Sequence, residues 1–212
     1  MNRILDIIAQ ALSVLLYPLF VPTYGIALFC YAYAKQVAYM PVVWIVIAIV
    51  GTFVLTCLLP MTSIWILMKQ GRVKDMQIAD AKQRTMPYLY STVGFGCWAY
   101  LLIGVLHAPL YIGLIGVGAT VAIGLVMVIN RRWKISAHLT GFGGLVGGLL
   151  SYCLGVGAIP NAGALCAWLA LSLVLMYARL RLNAHTSTQV SAGWLMGLSC
   201  TFLPYCIASY VA

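Results

Sequence analysis

Acidic residues are nearly absent from this chain. Its 212 residues include three Asp and Glu against twelve Lys and Arg, and charged residues make up only 7%. A soluble domain spends about 25% on charge, so the composition excludes an ordinary water-soluble fold. So few carboxylates also leave no cluster from which a magnesium or zinc site is usually built, and no cofactor is expected. Seven cysteines occur, but without C-x-x-C or other metal-like spacing. Cys57, Cys153, Cys166, Cys200 and Cys206 stand in apolar surroundings and read as small hydrophobic side chains, not ligands or disulfides. Alternating apolar and polar runs of about ten residues are lacking, which counts against a membrane β-barrel. The missing inverted repeat and the lack of mid-span charge count against a transporter.

What is present in abundance is apolar length: 64% of the chain is hydrophobic. At about 20 residues per crossing, the reading is an all-α, polytopic transmembrane helix bundle of six or seven spans, a single integral membrane domain over residues 1–212. The first span is expected over residues 5–33, kinked or broken by Pro18 and Pro22, with a re-entrant or interfacial element as the alternative. It follows Arg3 without a cleavage site, so it reads as a span and not as a signal peptide. The others are expected near 41–68, 88–106, 110–130, 137–157, 162–180 and 188–210. Gly141, Gly143, Gly144, Gly147 and Gly148 crowd one span. They permit close helix packing, and the small surface near residue 141 also leaves room for a headgroup.

The net charge is +9, and its cations lie in short loops between apolar runs. That is a membrane pattern, not a nucleic-acid one, so the expected partners are membrane lipids and a phosphorylated lipid substrate, with no nucleic acid. Two spans separate the 69–84 loop from the 131–138 loop, and two more separate the latter from 179–185. An even number of crossings returns the chain to one face, so all three polar clusters meet there. The other face receives Lys35, the "HAP" turn with His107, and the "GVGAIPN" turn.

The first cluster, "QIADAKQRTMP" at 77–87, offers Gln77, Asp80, Lys82 and Arg84. The second, within "RRWKISAHLTG" at 131–141, offers Lys134, Ser136 and His138. The third, "ARLRLNAHTSTQVSAGW" at 178–194, offers Arg179, Arg181, His185, Thr186, Thr188 and Gln189. Guanidinium groups bind phosphate oxygens in pairs, and serine adds a donor. Two histidines titrating near neutrality suit a nucleophile and a proton carrier. Lys69, Arg72, Lys74, Arg131 and Arg132 read instead as cations placed at span ends on the cytoplasmic face.

In these clusters the chain resembles the type 2 phosphatidic acid phosphatase (PAP2) superfamily of membrane lipid phosphatases. The family's signatures are K-x6-R-P, P-S-G-H and S-R-x5-H-x3-D. Here they fall on Gln77 to Arg84, on Ser136–Ala137–His138, and on Ala178–Arg179, His185 and Gln189, within about residues 75–200. The resemblance implies a PAP2-like core and metal-independent hydrolysis of a lipid phosphate or diphosphate. His185 would attack phosphorus to form a phosphohistidine. His138 would protonate the leaving oxygen and then activate water. Arg84, Arg179 and Ser136 would bind the phosphate. Six positions depart from the pattern: Gln77 for the lysine, Thr85 for the first motif's proline (a proline comes only at Pro87), Ile135 for the second motif's proline, Ala137 for the glycine, Ala178 for the serine and Gln189 for the aspartate. Lys74, Lys82 or Lys134 would replace the lysine's charge. Gln189 would accept a bond from the His185 ring, and Asp80 is a candidate for the missing carboxylate.

The departures keep a second reading open, a non-catalytic relative that binds an anionic lipid or partner. Phosphatidic acid, phosphatidylglycerol phosphate and polyprenyl diphosphate all fit a basic pocket at an apolar edge. The expected location is a bacterial inner membrane with the clusters at its cytoplasmic face, although many bacterial members of this family act on the outer side.

Overall fold

A backbone in hydrocarbon must satisfy its own polar groups, and uninterrupted apolar runs do so as long helices. The computed structural model describes residues 3–36, 39–74, 78, 81–157 and 162–211, and every regular element among them is helical. The region expected as the first span is broken into Arg3–Leu15 (α1) and Val21–Gln36 (α2). Pro18 falls in the break, and Pro22 enters the first turn of α2, where its missing N–H costs nothing. Six helices long and apolar enough to cross a bilayer follow: Val42–Lys69 (α3), Thr85–Val105 (α4), Leu110–Asn130 (α5), Ala137–Gly155 (α6), Ala162–Arg181 (α7) and Ser187–Tyr210, the bulk of a helix ending at Val211 (α8). The chain is an all-α, polytopic membrane bundle.

Two spans depart from α-geometry. In α3 the turn Val54–Leu58 is π-helical, with the Leu59 amide bonding back to Val54. Pro60 follows directly, and a proline there removes one backbone donor and crowds the preceding turn. The last turn of α4, Leu101–Val105, is π-helical as well.

Small residues set the closest packing. A Cβ on Gly143 would drive into the Trp194 carbonyl, one on Gly147 into that of Leu198, and one on Gly197 into that of Thr140. These contacts advance together along α6 and α8, so the two helices run parallel at backbone contact. The Thr201 hydroxyl donates to the Gly144 carbonyl (2.9 Å), and Ser151 donates to that of Thr201 (3.0 Å). Gly141, Gly144 and Gly148 instead line a cavity. The glycine run therefore packs α8 on one face and lines open space on another.

α2 follows α6 from end to end. A Cβ on Gly141 would touch Val21 and Pro18, while the Phe29 ring lies edge-on to Tyr152 at 5.6 Å. α1 stays at the end of the bundle where α7 terminates, since Asp6 pairs there with Arg181 (2.8 Å). Its polarity is inside-out: Ser13 is buried and Asp6 half-buried, whereas Ile4, Ile7, Val14 and Leu15 are exposed. In a bilayer that outer face meets lipid.

Candidate functional site

The parallel contact of α6 and α8 brings their first turns together. A Cβ on Gly193 would meet the Ser136 carbonyl, and the Ser136 amide donates to the Gln189 carbonyl (3.3 Å). His138, in the first turn of α6, thereby stands near the segment that carries His185. α7 completes the approach through its ending. The amides of Asn183 and Ala184 bond back to the carbonyls of Leu180 (3.0 Å) and Arg179 (3.1 Å), and Asn183 is left-handed at φ 49°. This is a Schellman turn with asparagine at the left-handed position. It reverses the chain and sets His185 over Arg179, the physical content of the five-residue spacing between them.

Thr186 and Gln189 then form a capping box at the start of α8. The Gln189 amide donates to Thr186 Oγ1 (3.4 Å), and Gln189 Oε1 accepts the Thr186 amide (3.2 Å). The same Oε1 lies 3.3 Å from His185 Nδ1, and the Lys134 carbonyl lies 3.1 Å from it. Both partners accept, so Nδ1 carries the proton and Nε2 keeps its lone pair. Gln189 thus does for the ring what the sequence suggested, and a backbone carbonyl shares the task. No residue type announces that carbonyl. The Thr-x-x-Gln spacing was the available sign that Gln189 also caps a helix.

His138 is tied from an unexpected direction. Its Nε2 lies 3.1 Å from the Ser13 carbonyl, and the Tyr17 ring stands edge-on to it at 5.5 Å. A carbonyl only accepts, so Nε2 is protonated. The sequence reading assigned α1 no part in the site. Its one hint is the placement of Asp6, Ser13 and Tyr17 at helical spacing in an apolar segment.

Arg84 closes the 3₁₀ turn Ala81–Arg84 ahead of α4 and is 8% exposed. Its Nε donates to the Ile78 carbonyl (2.7 Å), and Tyr88 hydrogen-bonds to it. Arg84, Lys134, His138, Arg179 and His185 all line one cavity of about 1170 Å³, and none of its lining residues among those described is acidic. Arg179 Nε is buried without a partner, as is the hydroxyl of Ser136, which is wholly inaccessible. Ser136 precedes α6, yet its side chain does not cap that helix. The first-turn residues Ala137 and His138 line the cavity, and the free amides of a first helical turn are donors suited to an anion.

The electrostatics follow from that crowding. Burial and then the Arg179 guanidinium push the His185 ring down to about 4, so it is neutral at pH 7. Burial, with Arg84 and Arg179 adding to it, lowers the Lys134 ammonium below its ordinary value. Such a site holds cations without counter-charge, and an entering anion would relieve their repulsion.

Gln77 and Asp80 lie outside the described residues, and so does the Lys82 side chain. Ala178, where the family has serine, is buried. His107 falls in the turn between α4 and α5, at the other end of the bundle. All seven cysteines are free. No protein-family model, curated protein or solved structure matches the chain.

Proposed function

We propose that this chain is a membrane phosphohydrolase that cleaves a lipid phosphate or diphosphate monoester through a phosphohistidine, in the manner of the PAP2 superfamily that its three short motifs resemble. One observation carries the reading: two histidines and three cations converge at one end of a largely apolar cavity with no acidic residue among its described lining. The unpartnered Arg179 Nε supports it, because Arg179 lines the cavity and a phosphoryl group needs donors on its equatorial oxygens.

In the first step His185 Nε2 attacks phosphorus, the ester P–O bond breaks, and the Nδ1 proton is held by the Lys134 carbonyl and Gln189. Arg84 and Arg179 bind the phosphoryl oxygens; Ser136, expected beside them, is wholly buried outside the cavity lining. The leaving oxygen takes the Nε2 proton of His138, whose ring must first be brought to the imidazolium, protonated at both nitrogens, by the charge of the entering phosphate. Delivery from Nε2 requires the bond to the Ser13 carbonyl to be exchanged for one to the ester oxygen. The resulting neutral ring then takes a proton from water, whose oxygen attacks the phosphohistidine, breaks the P–N bond and releases phosphate. Lys134 supplies the charge that the family's lysine would supply.

A second reading, an anion-binding relative without turnover, draws on Gln189. Its amide suffices to cap α8, but it lacks the charge that would stabilise an imidazolium. Phosphate release from purified protein in EDTA separates the two. Phosphatidic acid, phosphatidylglycerol phosphate and polyprenyl diphosphate are the substrates to compare. Release that falls by at least about 10³ in His185→Ala is expected, the scale on which loss of a nucleophile acts. Folded protein that binds these lipids and releases nothing from any of them would establish the binding reading. A bacterial inner membrane, with the clusters facing the cytoplasm, is the location this function and the loop charges favour.

A further inference from the structure

The cavity is larger than a headgroup requires, and its polar residues gather at one end. Its volume of about 1170 Å³ exceeds the range of about 300–1,000 Å³ usual for small-molecule sites. Beyond His138 the walls come from α2, α4, α5 and α6 and are apolar, with Ile26, Phe95, Ile115 and Leu149 among them. The hydroxyls on this stretch are already committed: Ser91 donates to the Pro87 carbonyl (2.9 Å), Thr140 to Ser136 (3.0 Å) and Thr201 to Gly144 (2.9 Å). Trp98 turns its N–H to Thr52 (2.8 Å) and presents ring to the cavity. Water needs two to four polar partners to settle, and such walls do not supply them.

The limb is long and reaches Phe29 and Tyr152. From His138 to Tyr152 along α6 is about 21 Å at 1.5 Å per residue, most of a hydrocarbon core about 30 Å thick. Tyr152 is buried and is braced edge-on by Phe29 (5.6 Å) and by Tyr111 (6.0 Å). Gly148 keeps the passage open partway down, since a Cβ there would already touch Ile115.

We propose that this limb seats a single long apolar tail inside the bundle, with its phosphorylated head at Arg84 and Arg179, and that the Phe29–Tyr152 wall sets the length of tail accepted. The proposal rests on the reading of the cationic end as a phosphoryl site, but not on turnover. The tail therefore lies among protein side chains and not between the spans in lipid.

Photolabelling tests it. Hexadecyl phosphate and octyl phosphate, each with a diazirine at the terminal carbon, are bound to the purified protein, irradiated and mapped by mass spectrometry. The hexadecyl probe is expected to label Phe29, Tyr152 and Cys153, and the octyl probe the wall near Gly144 and Leu145. Gly148→Leu, and independently Ala119→Leu from the facing wall of α5, are expected to cut end-wall labelling by the long probe at least fivefold and leave the octyl probe's labelling unchanged. Labelling of the outward-facing Leu125, Val128 or Leu173, no labelling, or a pattern indifferent to both variants would overturn the proposal. End-wall labelling in protein that releases no phosphate keeps the tail seat and removes hydrolysis. Phosphate release with labelling confined to the outer faces does the reverse.

Discussion

In the proposed reaction His185 is the nucleophile, and its surroundings keep it neutral. Burial and the Arg179 cation hold the ring down to about 4, so the imidazolium is disfavoured well below the ordinary value of about 6.5. The nucleophile is therefore ready across the acid range. The acid limb of kcat/KM is expected to break near pH 4, falling about tenfold per unit below it. A break near pH 6.5 would show that the ring is not held as described. The stability consequence has a definite sign. Between about pH 6.5 and about 4 the unfolded chain binds this proton and the folded chain does not, so the ring's contribution is present above that window and is lost as pH falls through it. Gln189→Glu is the informative companion. A glutamate keeps the capping box and puts charge beside Nδ1, so the break is expected to move up by roughly one unit and the plateau rate to rise roughly tenfold.

At the scale of the element, the turn after α7 positions the nucleophile, and its geometry depends on one left-handed residue. Asn183→Gly is expected to leave melting and activity near the parent's. Asn183→Val forces a β-branched side chain into φ 49° and is expected to cost about 1–2 kcal/mol in thermal or denaturant unfolding, with phosphate release falling alongside. Equal loss from glycine and valine would remove the argument. Much at this scale was legible in advance. Apolar length located the six long helices to within about three residues, and the parity of crossings gathered Arg84, His138 and His185 at one end before any contact was known. What escaped was carried by backbone atoms and by packing choices with no composition signature. The carbonyls of Ser13 and Lys134 hold the two rings, and neither residue type foretells it. Pro60 stands in α3, and its presence alone does not tell that the turn before it is π-helical. The glycine run named a close helix pair without naming α8 as the partner. Pro18 and Pro22 foretold a broken first region, whereas the docking of α1 against His138 came from tertiary structure alone.

At the scale of the whole molecule, charge is distributed by end. Lys69, Arg72, Lys74, Arg131, Arg132, Lys134 and Arg181 lie at or beyond the ends of helices that meet the site, whereas Lys35 lies at the opposite end of α2. Arg84 and Arg179 serve the site in either orientation, so they carry no vote on sidedness. The remaining cations do, because short loops rich in Lys and Arg are retained in the cytoplasm. Cysteine placed at Gln70 is expected to react with an impermeant thiol reagent only after the membrane is opened, and cysteine at Ala108 from the outside of intact cells, each compared with the parent's seven native thiols. The reverse pattern would leave the site's chemistry untouched and overturn the orientation, and with it the compartment that receives the released phosphate. The tail seat makes this consequential. If the tail is seated as proposed, with its head at the cationic end, the lipid comes from the leaflet at that end, so the labelling pattern also tells which leaflet's lipids the cavity meets.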